Sequence, residues 1–354
     1  MNIKAIMLEK ATRLADNLTI RFSRNRIVAG GRNFSFCKVP VPKGYIQSQT
    51  HPSILYFPSK WHGFTHILAT TPYPKANIQY ENPCLYYADD ENSPTVFIPN
   101  PDNPIISPPT EINAFNSDPC LCFDNDRIYL INRRCERTPG LREIEIFSSA
   151  DGTHFSQPQL IITENAGKRE LLSPAFIHLT YAKRIYFLNG DAGIGRGGKC
   201  RGIDIYEGTS LENPNFAYIQ TGQFLNSKET GIEPWHFDLF QFENKLYMVF
   251  CGRNNKKGGI RNHMETYLAV SEDFLNFRIF PKPLVSLLKT YRPTAYLDER
   301  KVLHLYFSIV GKVANDKSDR SIALTRFDFQ LFLEKNLLND KIRSEFINDE
   351  NEER

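Results

Sequence analysis

The sequence predicts an all-β protein, specifically a five-bladed β-propeller of four-stranded blades. The main observation is an internal repeat, because repeat periods of this length indicate solenoids or propellers. In each repeat one residue precedes a proline, and an alternating apolar strand, a polar turn and an aromatic-rich strand follow. The repeats begin at His51, Asp118, Ser173, Glu233 and Arg292, at separations of 67, 55, 60 and 59 residues. Four strands of about 5–6 residues with their turns fill such a period. The 26 Phe and 16 Tyr residues also favour strands over helices.

Composition and charge exclude several classes of protein. Hydrophobic residues make up 41% of the chain and charged residues 23%, which is enough apolar material for a full core. The net charge of +3 argues against nucleic acid as a partner. We expect no membrane partner, because no run reaches the roughly 18 apolar residues of a span. The N-terminal residues lack the apolar run of a signal peptide, so we expect a cytoplasmic protein or a phage-encoded one.

The repeat divides the chain into three parts. Residues 1–50 form an N-terminal segment, in which the β-like stretch NLTIRFSRNRIVAGG is expected to help close the ring by pairing with the last blade. Residues 51–332 form the five blades, and residues 333–354 form a short helix and an acidic tail. The turns between the first and second strands are expected to contain Asn125-Asp126, Ala182-Lys183, Glu243-Asn244 and Glu299-Arg300.

The proline near the start of each repeat has a structural meaning. Proline lacks an N–H and suits the first residue of a strand or an edge strand, and the innermost strand of a blade is an edge that faces the axis. Proline also favours an extended conformation in the residue before it. The five residues that precede these prolines are therefore expected at equivalent places around the channel mouth. The alternative is that they are ordinary junctions between a turn and a strand.

The blade-opening dipeptides Asp118-Pro119 and Glu233-Pro234, with bends such as Ser271-Glu272-Asp273, resemble the five-bladed propeller glycoside hydrolases around families 43, 62, 32, 68 and 117. The resemblance covers roughly residues 45–330 as a repeat pattern. It implies a sugar held over the axis by carboxylates from different blades, with Asp118 and Glu233 in catalytic roles. His51 stands where the family has its first Asp. The resemblance therefore leaves three alternatives: a base at Glu81 or Asp238, a base at His51 itself, or loss of activity.

Several neighbours of these residues are candidate site residues. Glu233 is the candidate general acid, since the apolar wall of Trp235 would raise its pKa; a structural pair with Arg292 is the alternative. Trp235 could stack on a sugar ring or belong to the core. His236 and Asp238 share one face of a strand, where they could bind substrate or a cation. Seven cysteines without a C-x-x-C pair indicate neither disulfides nor a zinc site. We therefore expect no cofactor and no catalytic metal, with a structural cation on the axis as the alternative.

Four loops predicted on the channel-mouth face are rich in basic residues. Residues 131–143, 189–202, 252–265 and 310–321 contain 14 basic and six acidic residues, a net charge of +8. Arg134, Arg196 and Arg253 represent this set as candidate ligand-binding residues. Such a rim would attract an anionic glycan or a phosphorylated sugar; the alternative is a solvated rim of long side chains. The Gly-rich stretch 189–202 lies between two predicted strands, so it does not have the strand-to-helix context of a nucleotide-binding loop.

These observations leave three functional hypotheses. The first is a glycan-acting hydrolase with Asp118, Glu233 and His51 in catalytic roles and Glu81, Trp235, His236, Asp238 and Arg292 around the substrate. The second is a non-catalytic propeller that binds a carbohydrate or a receptor. The third is an enzyme that acts on a nucleotide-linked sugar. The fold alone does not choose among them, because propellers host many functions.

Overall fold

The computed structural model describes residues 34–90, 94–138, 140–190, 199–255, 264–286, 290–310 and 320–336. These residues form five four-stranded antiparallel sheets arranged as the blades of a propeller. The predicted fold class is therefore confirmed.

The first three blades each use four consecutive strands. Blade 1 contains β2 (Gln49–Trp61), β3 (Phe64–Pro72), β4 (Cys84–Ala88) and β5 (Ile98–Pro99). Blade 2 contains β6 (Ala114–Asp124), β7 (Arg127–Glu136), β8 (Leu141–Ser149) and β9 (Gln159–Asn165). Blade 3 contains β10 (Leu172–His178), β11 (Lys183–Gly190), β12 (Cys200–Gly208) and β13 (Ala217–Gly222).

The last blade closes the ring by taking a strand from the other end of the chain. Blade 4 contains β14 (Ile232–Phe242), β15 (Lys245–Asn254), β16 (Met264–Ser271) and β17 (Arg278–Ile279). Blade 5 contains β18 (Thr290–Leu297), β19 (Val302–Val310) and β20 (Arg320–Asp328), and β1 (Ser35–Phe36) adds its outermost strand. Ser35 pairs with Leu324 and Phe36 with Ala323. The predicted closing stretch, residues 17–31, lies outside the described residues.

The core lies between neighbouring blades, since each sheet packs its apolar face against the next. The innermost strands β2, β6, β10, β14 and β18 contact one another in a ring around the axis. Fully buried aromatic side chains such as Tyr86, Tyr186 and Phe250 fill the spaces between the blades. Burial of each such large side chain stabilises the folded state by roughly 1.5–3 kcal/mol. Since every blade is held by two neighbours, the inner strands form a rigid frame for side chains that point to the axis.

The inner strands share an irregularity near their beginnings. In blades 1, 2 and 3, two residues on the inner strand oppose one on its partner at His51-Pro52, Asp118-Pro119 and Ser173-Pro174. Each of these is a β-bulge, which re-aims a side chain. The residue before each proline has a positive φ of 50–53°. The predicted extended conformation at these positions is therefore wrong, because the bulge requires a left-handed backbone there.

The helical elements are short. Pro74–Ala76 and Ile78–Tyr80 are 3₁₀ turns between β3 and β4, and Ser227–Thr230 is one helical turn before β14. Residues 329–336 are helical after β20, and residues 337–354 of the predicted C-terminal part lie outside the described residues. Within the described ranges, no helix has both the length and the apolar character needed to span a membrane.

Candidate functional site

Side chains from several blades meet near the beginnings of the inner strands. His51 of β2, Asp118 of β6 and His236 of β14 are all buried, and one potential ligand atom from each lies within 4.8 Å of the other two. Arg292 of β18 lies beside them. We call His51, Asp118, His236 and Arg292 the axial cluster. Three of its four members lie at the X-Pro positions that the sequence singled out.

Asp118 lies at the centre of the axial cluster. Its Oδ1 is 3.3 Å from His236 Nδ1, 3.6 Å from Arg292 Nη1 and 3.7 Å from His51 Nε2. These distances are longer than ordinary hydrogen bonds, and Oδ1 has no hydrogen-bond partner among the described residues. Burial alone would raise the pKa of Asp118, but His236, His51 and Arg292 hold it well below its usual value. The carboxylate is therefore ionised.

A second buried carboxylate fixes the ring of His51. His51 Nδ1 lies 2.9 Å from Glu81 Oε1 and 3.0 Å from Thr71 Oγ1, so a proton on Nδ1 can be donated to Glu81. Ser117 also donates a hydrogen bond to Glu81. Burial raises the pKa of Glu81, and the neighbouring His51 opposes that rise. In this tautomer Nε2 of His51, which has no hydrogen-bond partner among the described residues, presents a lone pair toward Asp118.

His236 is held in a comparable way. Its Nε2 lies 2.9 Å from the hydroxyl oxygen of Tyr291, and its Nδ1 contacts the hydroxyl of Ser173 as well as Asp118. Burial lowers the pKa of His236 to about 4. The ring is therefore neutral near pH 7, and one of its nitrogens offers a lone pair.

Two buried arginines add positive charge next to Asp118. Arg292 is completely buried, donates one hydrogen bond to the carbonyl oxygen of Pro174 at 3.1 Å, and leaves Nε and Nη1 without hydrogen-bond partners among the described residues. Arg133 Nη1 lies 3.8 Å from Asp118 Oδ2, while its other nitrogens donate to the backbone oxygen of Glu170. Such arginines can bind negative charge that a substrate presents or develops.

The three potential ligand atoms fit a divalent cation. Two imidazole nitrogens and one carboxylate oxygen are the donor set of several catalytic zinc and iron sites. Each histidine has a partner for its second ring nitrogen, as metal-bound histidines almost always do. His51 Nε2 and Asp118 Oδ1 are buried acceptors that have no hydrogen bond within the described part of the chain, and a cation between them would satisfy both.

Glu233 does not occupy the place that the sequence predicts. In blade 4 the bulge lies two residues later, at Trp235-His236, and Glu233 pairs regularly with Arg253. Its Oε1 accepts a hydrogen bond from Cys200 N at 2.9 Å, and its Oε2 lies 3.0 Å from Arg253 Nη2. The carboxylate thus ties the beginning of β12 to β15, and the displaced bulge brings His236 to the axial cluster instead.

Two further candidates, Trp235 and Asp238, lie on the same strand as His236. Trp235 lies against His236 and Tyr291, with ring centroids 5.3 and 6.2 Å apart. Asp238 lies further along β14, where it accepts a hydrogen bond from Thr294, and burial raises its pKa.

Most members of the basic rim are either neutralised or outside the described residues. Arg134 binds three glutamates, Glu111, Glu136 and Glu143, on the face of blade 2. Arg253 pairs with Glu233. Arg196 lies outside the described residues, as do most of the basic side chains in the last three loops.

The sequence did contain a signal for His236. Asp118 lies seven residues before Asn125, the first residue of its hairpin turn, and Arg292 lies seven before Glu299. The same count back from Glu243 reaches His236 rather than Glu233. In blades 2, 4 and 5 the position relative to the turn therefore predicts which residue reaches the axial cluster, because the turn fixes the register of the hairpin. Ser173, the residue before the proline of blade 3, was expected at this ring, whereas the sequence carries no signal for the contact of Tyr291 with His236.

The comparisons with known proteins support the fold assignment. No family model matches the chain, and no curated protein matches it by sequence. Among solved structures, it is similar to an N-acetylgalactosamine deacetylase from F. plautii in complex with blood group B trisaccharide. That match has a TM-score of 0.70 and 17% identity, and it covers 86% of this chain and 95% of the other.

Two family 43 enzymes are also similar in structure. One is a family 43 glycoside hydrolase from Xanthomonas citri in complex with xylotriose, with a TM-score of 0.60, 12% identity and coverage of 88% and 92%. The other is a family 43 β-xylosidase/α-arabinofuranosidase from a compost microbial metagenome, with a TM-score of 0.57, 11% identity and coverage of 83% and 94%. The chain therefore has the five-bladed propeller fold of the family 43 glycoside hydrolases, as its sequence pattern predicted.

Proposed function

We propose that this protein is a glycan-acting hydrolase whose axial cluster holds a divalent cation through His51, Asp118 and His236. The observation that carries the proposal is the set of three buried ligand atoms within 4.8 Å of one another. In the absence of a cation, the lone pair of His51 Nε2 would face a carboxylate oxygen 3.7 Å away with no proton between them. Such an arrangement of buried acceptors is costly unless a cation compensates it.

The charges around the axial cluster balance one another before an ion is added. The carboxylates are those of Asp118, Glu81 and Glu170, and the guanidinium groups are those of Arg133, Arg142 and Arg292. Three negative and three positive charges sum to zero. A divalent cation would make the site positive, which suits a site that must stabilise an oxyanion.

The residues around the proposed ion have separate tasks. When bound, such an ion activates water and polarises a carbonyl oxygen. Glu81 and Tyr291 orient the two histidines, and Nε and Nη1 of Arg292 can stabilise developing negative charge. Trp235 provides an aromatic surface next to His236 on which a sugar ring can stack.

We further propose that the reaction is removal of an N-acyl group from an amino sugar. Water adds to the amide carbonyl, the C–N bond breaks, the acid leaves, and the amine takes a proton. Glycoside hydrolysis normally needs two carboxyl groups that flank the bond. Here Asp118 lies among the proposed ligands and Glu81 is bound to His51, so neither is a free proton donor. The deacetylase activity named for the similar F. plautii protein agrees with this choice.

An anionic glycan remains our proposal for the finer substrate class. Its support is the net charge of +8 in the four loops. The described arginines 133, 134 and 142 already bind carboxylates. Attraction of an anionic ligand therefore rests mainly on the basic residues of the other three loops.

The proposal is tested by metal content and product analysis. Purified protein is stripped with a chelator, reloaded with Zn²⁺, Mn²⁺ or Co²⁺, and assayed for acetate release from N-acetylhexosamine oligosaccharides and for reducing ends from the same glycans. We expect about one ion per chain and acetate release that depends on it. Asp118→Asn and His236→Ala should lose the ion and lower turnover by at least ~10²-fold.

Two control variants make the result specific. Asp124→Asn changes a buried carboxylate at the other end of β6 and should keep both ion and activity. Glu233→Gln should lower turnover less than about tenfold, whereas a loss of about 10²-fold or more would restore Glu233 as the general acid. Reducing ends without acetate would indicate a glycosidase. Glycan binding without turnover and without a bound ion would support the non-catalytic propeller.

A further inference from the structure

A second cavity lies outside the axial cluster, in the groove between blades 1 and 2. Its volume is about 500 Å³, which is within the range of small-ligand sites. One wall is the face of blade 2, with Asn116, Arg134, Glu145 and Phe147. The other walls are the β5–β6 connection, residues 102–109, and the β8–β9 connection, residues 153–158. We call this cavity the interblade groove.

The walls of the interblade groove are held together by hydrogen bonds. Asn100 donates to the backbone oxygen of Thr153 at 3.0 Å, which joins the two connections. Tyr87 of blade 1 donates to the backbone oxygen of Gly152 at 2.7 Å. Asn116 donates to the backbone oxygen of Ser107 at 3.1 Å. Because these bonds link both blades, the groove is preformed.

Glu145 is a half-buried carboxylate of the interblade groove, and its Oε1 accepts no hydrogen bond from the described residues. Its Oε2 accepts one hydrogen bond from Asn132 at 3.0 Å. Burial raises the pKa of Glu145, bonds and charges from Asn132 and Arg134 oppose the rise, and Glu143 and Glu111 add to it. A carboxylate in this position gains stability from hydroxyl groups that donate hydrogen bonds to it.

The groove also offers apolar surface. Phe147 and Phe155 provide aromatic surface, and Ile106 and Pro158 add aliphatic contacts. The amide of Asn116 on the same wall is already used, since it donates to Asn82 and Ser107 and accepts from Asn132. A half-buried carboxylate and aromatic rings in one groove can bind both the hydroxyl edge and the apolar face of a sugar ring.

We propose that the interblade groove is a second carbohydrate-binding site, specific for a neutral sugar unit of a glycan. The preference for a neutral unit follows from the charges around Arg134, whose single positive charge is shared by Glu111, Glu136 and Glu143. With Glu145 added, these four carboxylates and one guanidinium group have a net charge of −3. A uronic acid would meet like charge there, and like-charge contacts oppose binding.

This site is structurally separate from the axial cluster. The residues that line the groove include neither Glu81 nor any residue of the axial cluster. None of the groove residues contributes a proposed ligand of the cation. A glycan held at both places would bind more tightly than at either one alone. The proposal for the groove does not depend on the proposed function of the axis.

The test uses the full chain labelled with ¹³C at the isoleucine methyl groups. Lactose, cellobiose and xylobiose are titrated, and glucuronic acid serves as the acidic probe. We expect at least one neutral disaccharide to shift the methyl signals of Ile105 and Ile106, which line the groove, with millimolar or lower Kd. Glucuronic acid should bind at least tenfold more weakly. If none of the three disaccharides shifts these two signals, the proposal is overturned.

Variants distinguish binding in the interblade groove from binding elsewhere on the protein. Glu145→Gln should weaken disaccharide binding at least about fivefold, because a charge-assisted hydrogen bond becomes a neutral one. Glu207→Gln is the matched control, since Glu207 lies on a strand of blade 3 and pairs with Arg184 at 2.6 Å. Asp118→Asn should leave binding at the groove unchanged even if it abolishes activity. Equal binding by Glu145→Gln and the unmodified protein would contradict the proposed site.

Discussion

The closure between blades 1 and 5 contains a buried histidine that should make stability depend on pH. His66 of β3 lies in blade 1, and its Nε2 is 2.7 Å from the hydroxyl oxygen of Tyr296 in blade 5. Its Nδ1 is 2.9 Å from Thr65 Oγ1. Burial and the neighbouring His304 lower the pKa of His66 to about 4, and Asp90 opposes both.

The size of the effect follows from linkage. The neutral form is favoured in the folded protein, so the stabilisation is present above the unfolded value of 6.5 and is lost as pH falls toward 4. Each pKa unit corresponds to about 1.4 kcal/mol. Between pH 7 and pH 4.5, protonation linked to His66 should therefore cost about 2 kcal/mol of unfolding free energy.

The assay is urea unfolding followed by far-ultraviolet circular dichroism at pH 7 and pH 4.5. Other groups also titrate in this range, among them His304, whose pKa burial lowers. The informative quantity is therefore the difference between the unmodified protein and His66→Gln. We expect the variant to lose about 2 kcal/mol less on acidification. The exposed His62→Gln is the control and should keep the original pH dependence. An identical loss in His66→Gln would refute the reasoning.

Two further predictions concern packing and ligand charge. A Cβ at Gly222 would lie 1.8 Å from the backbone oxygen of Leu275, so Gly222→Ala should lower the unfolding free energy by about 3 kcal/mol or more through overpacking. Gly63→Ala, with open space but a positive φ, should cost about 1 kcal/mol in the same urea titration; equal effects would contradict the packing argument. Binding of an acidic glycan at the channel mouth should weaken between low and physiological salt, since exposed charges are screened over about 8–10 Å. Calorimetric affinities that do not change with salt would instead indicate a solvated rim.

The repeat predicted the fold because the same physical requirements on the inner strand recur five times along the chain. Each inner strand is an edge strand that begins near a proline. Its side chains point alternately to the two faces of the blade, and it ends in a tight turn. The turn at Asn125-Asp126 illustrates this, since both residues adopt the positive φ that a two-residue hairpin turn requires. Such requirements are local, so they can be read from neighbouring residues.

The residues of the site could be predicted only in part from such local sequence patterns. His51, Asp118 and Arg292 were identified because each of them precedes a proline at the start of a repeat. Glu233 was assigned to the same ring because it also precedes a proline. Its strand places the bulge two residues later, and that shift exchanges Glu233 for His236. A bulge position depends on pairing with β15 and on packing against the neighbouring blades, neither of which is a local property.

The sequence by itself thus determined the number of blades and their strand order along the chain, and it named all four residues of the axial cluster as candidates, three of them from the X-Pro pattern. Only the tertiary structure decided which atoms face one another. It gave His51 and His236 their hydrogen-bond partners, left Asp118 Oδ1 without one among the described residues, and matched Arg134 with three glutamates. The physical reason is that local backbone preferences act over a few residues, whereas distances between side chains of different blades are set by the closure of the whole ring.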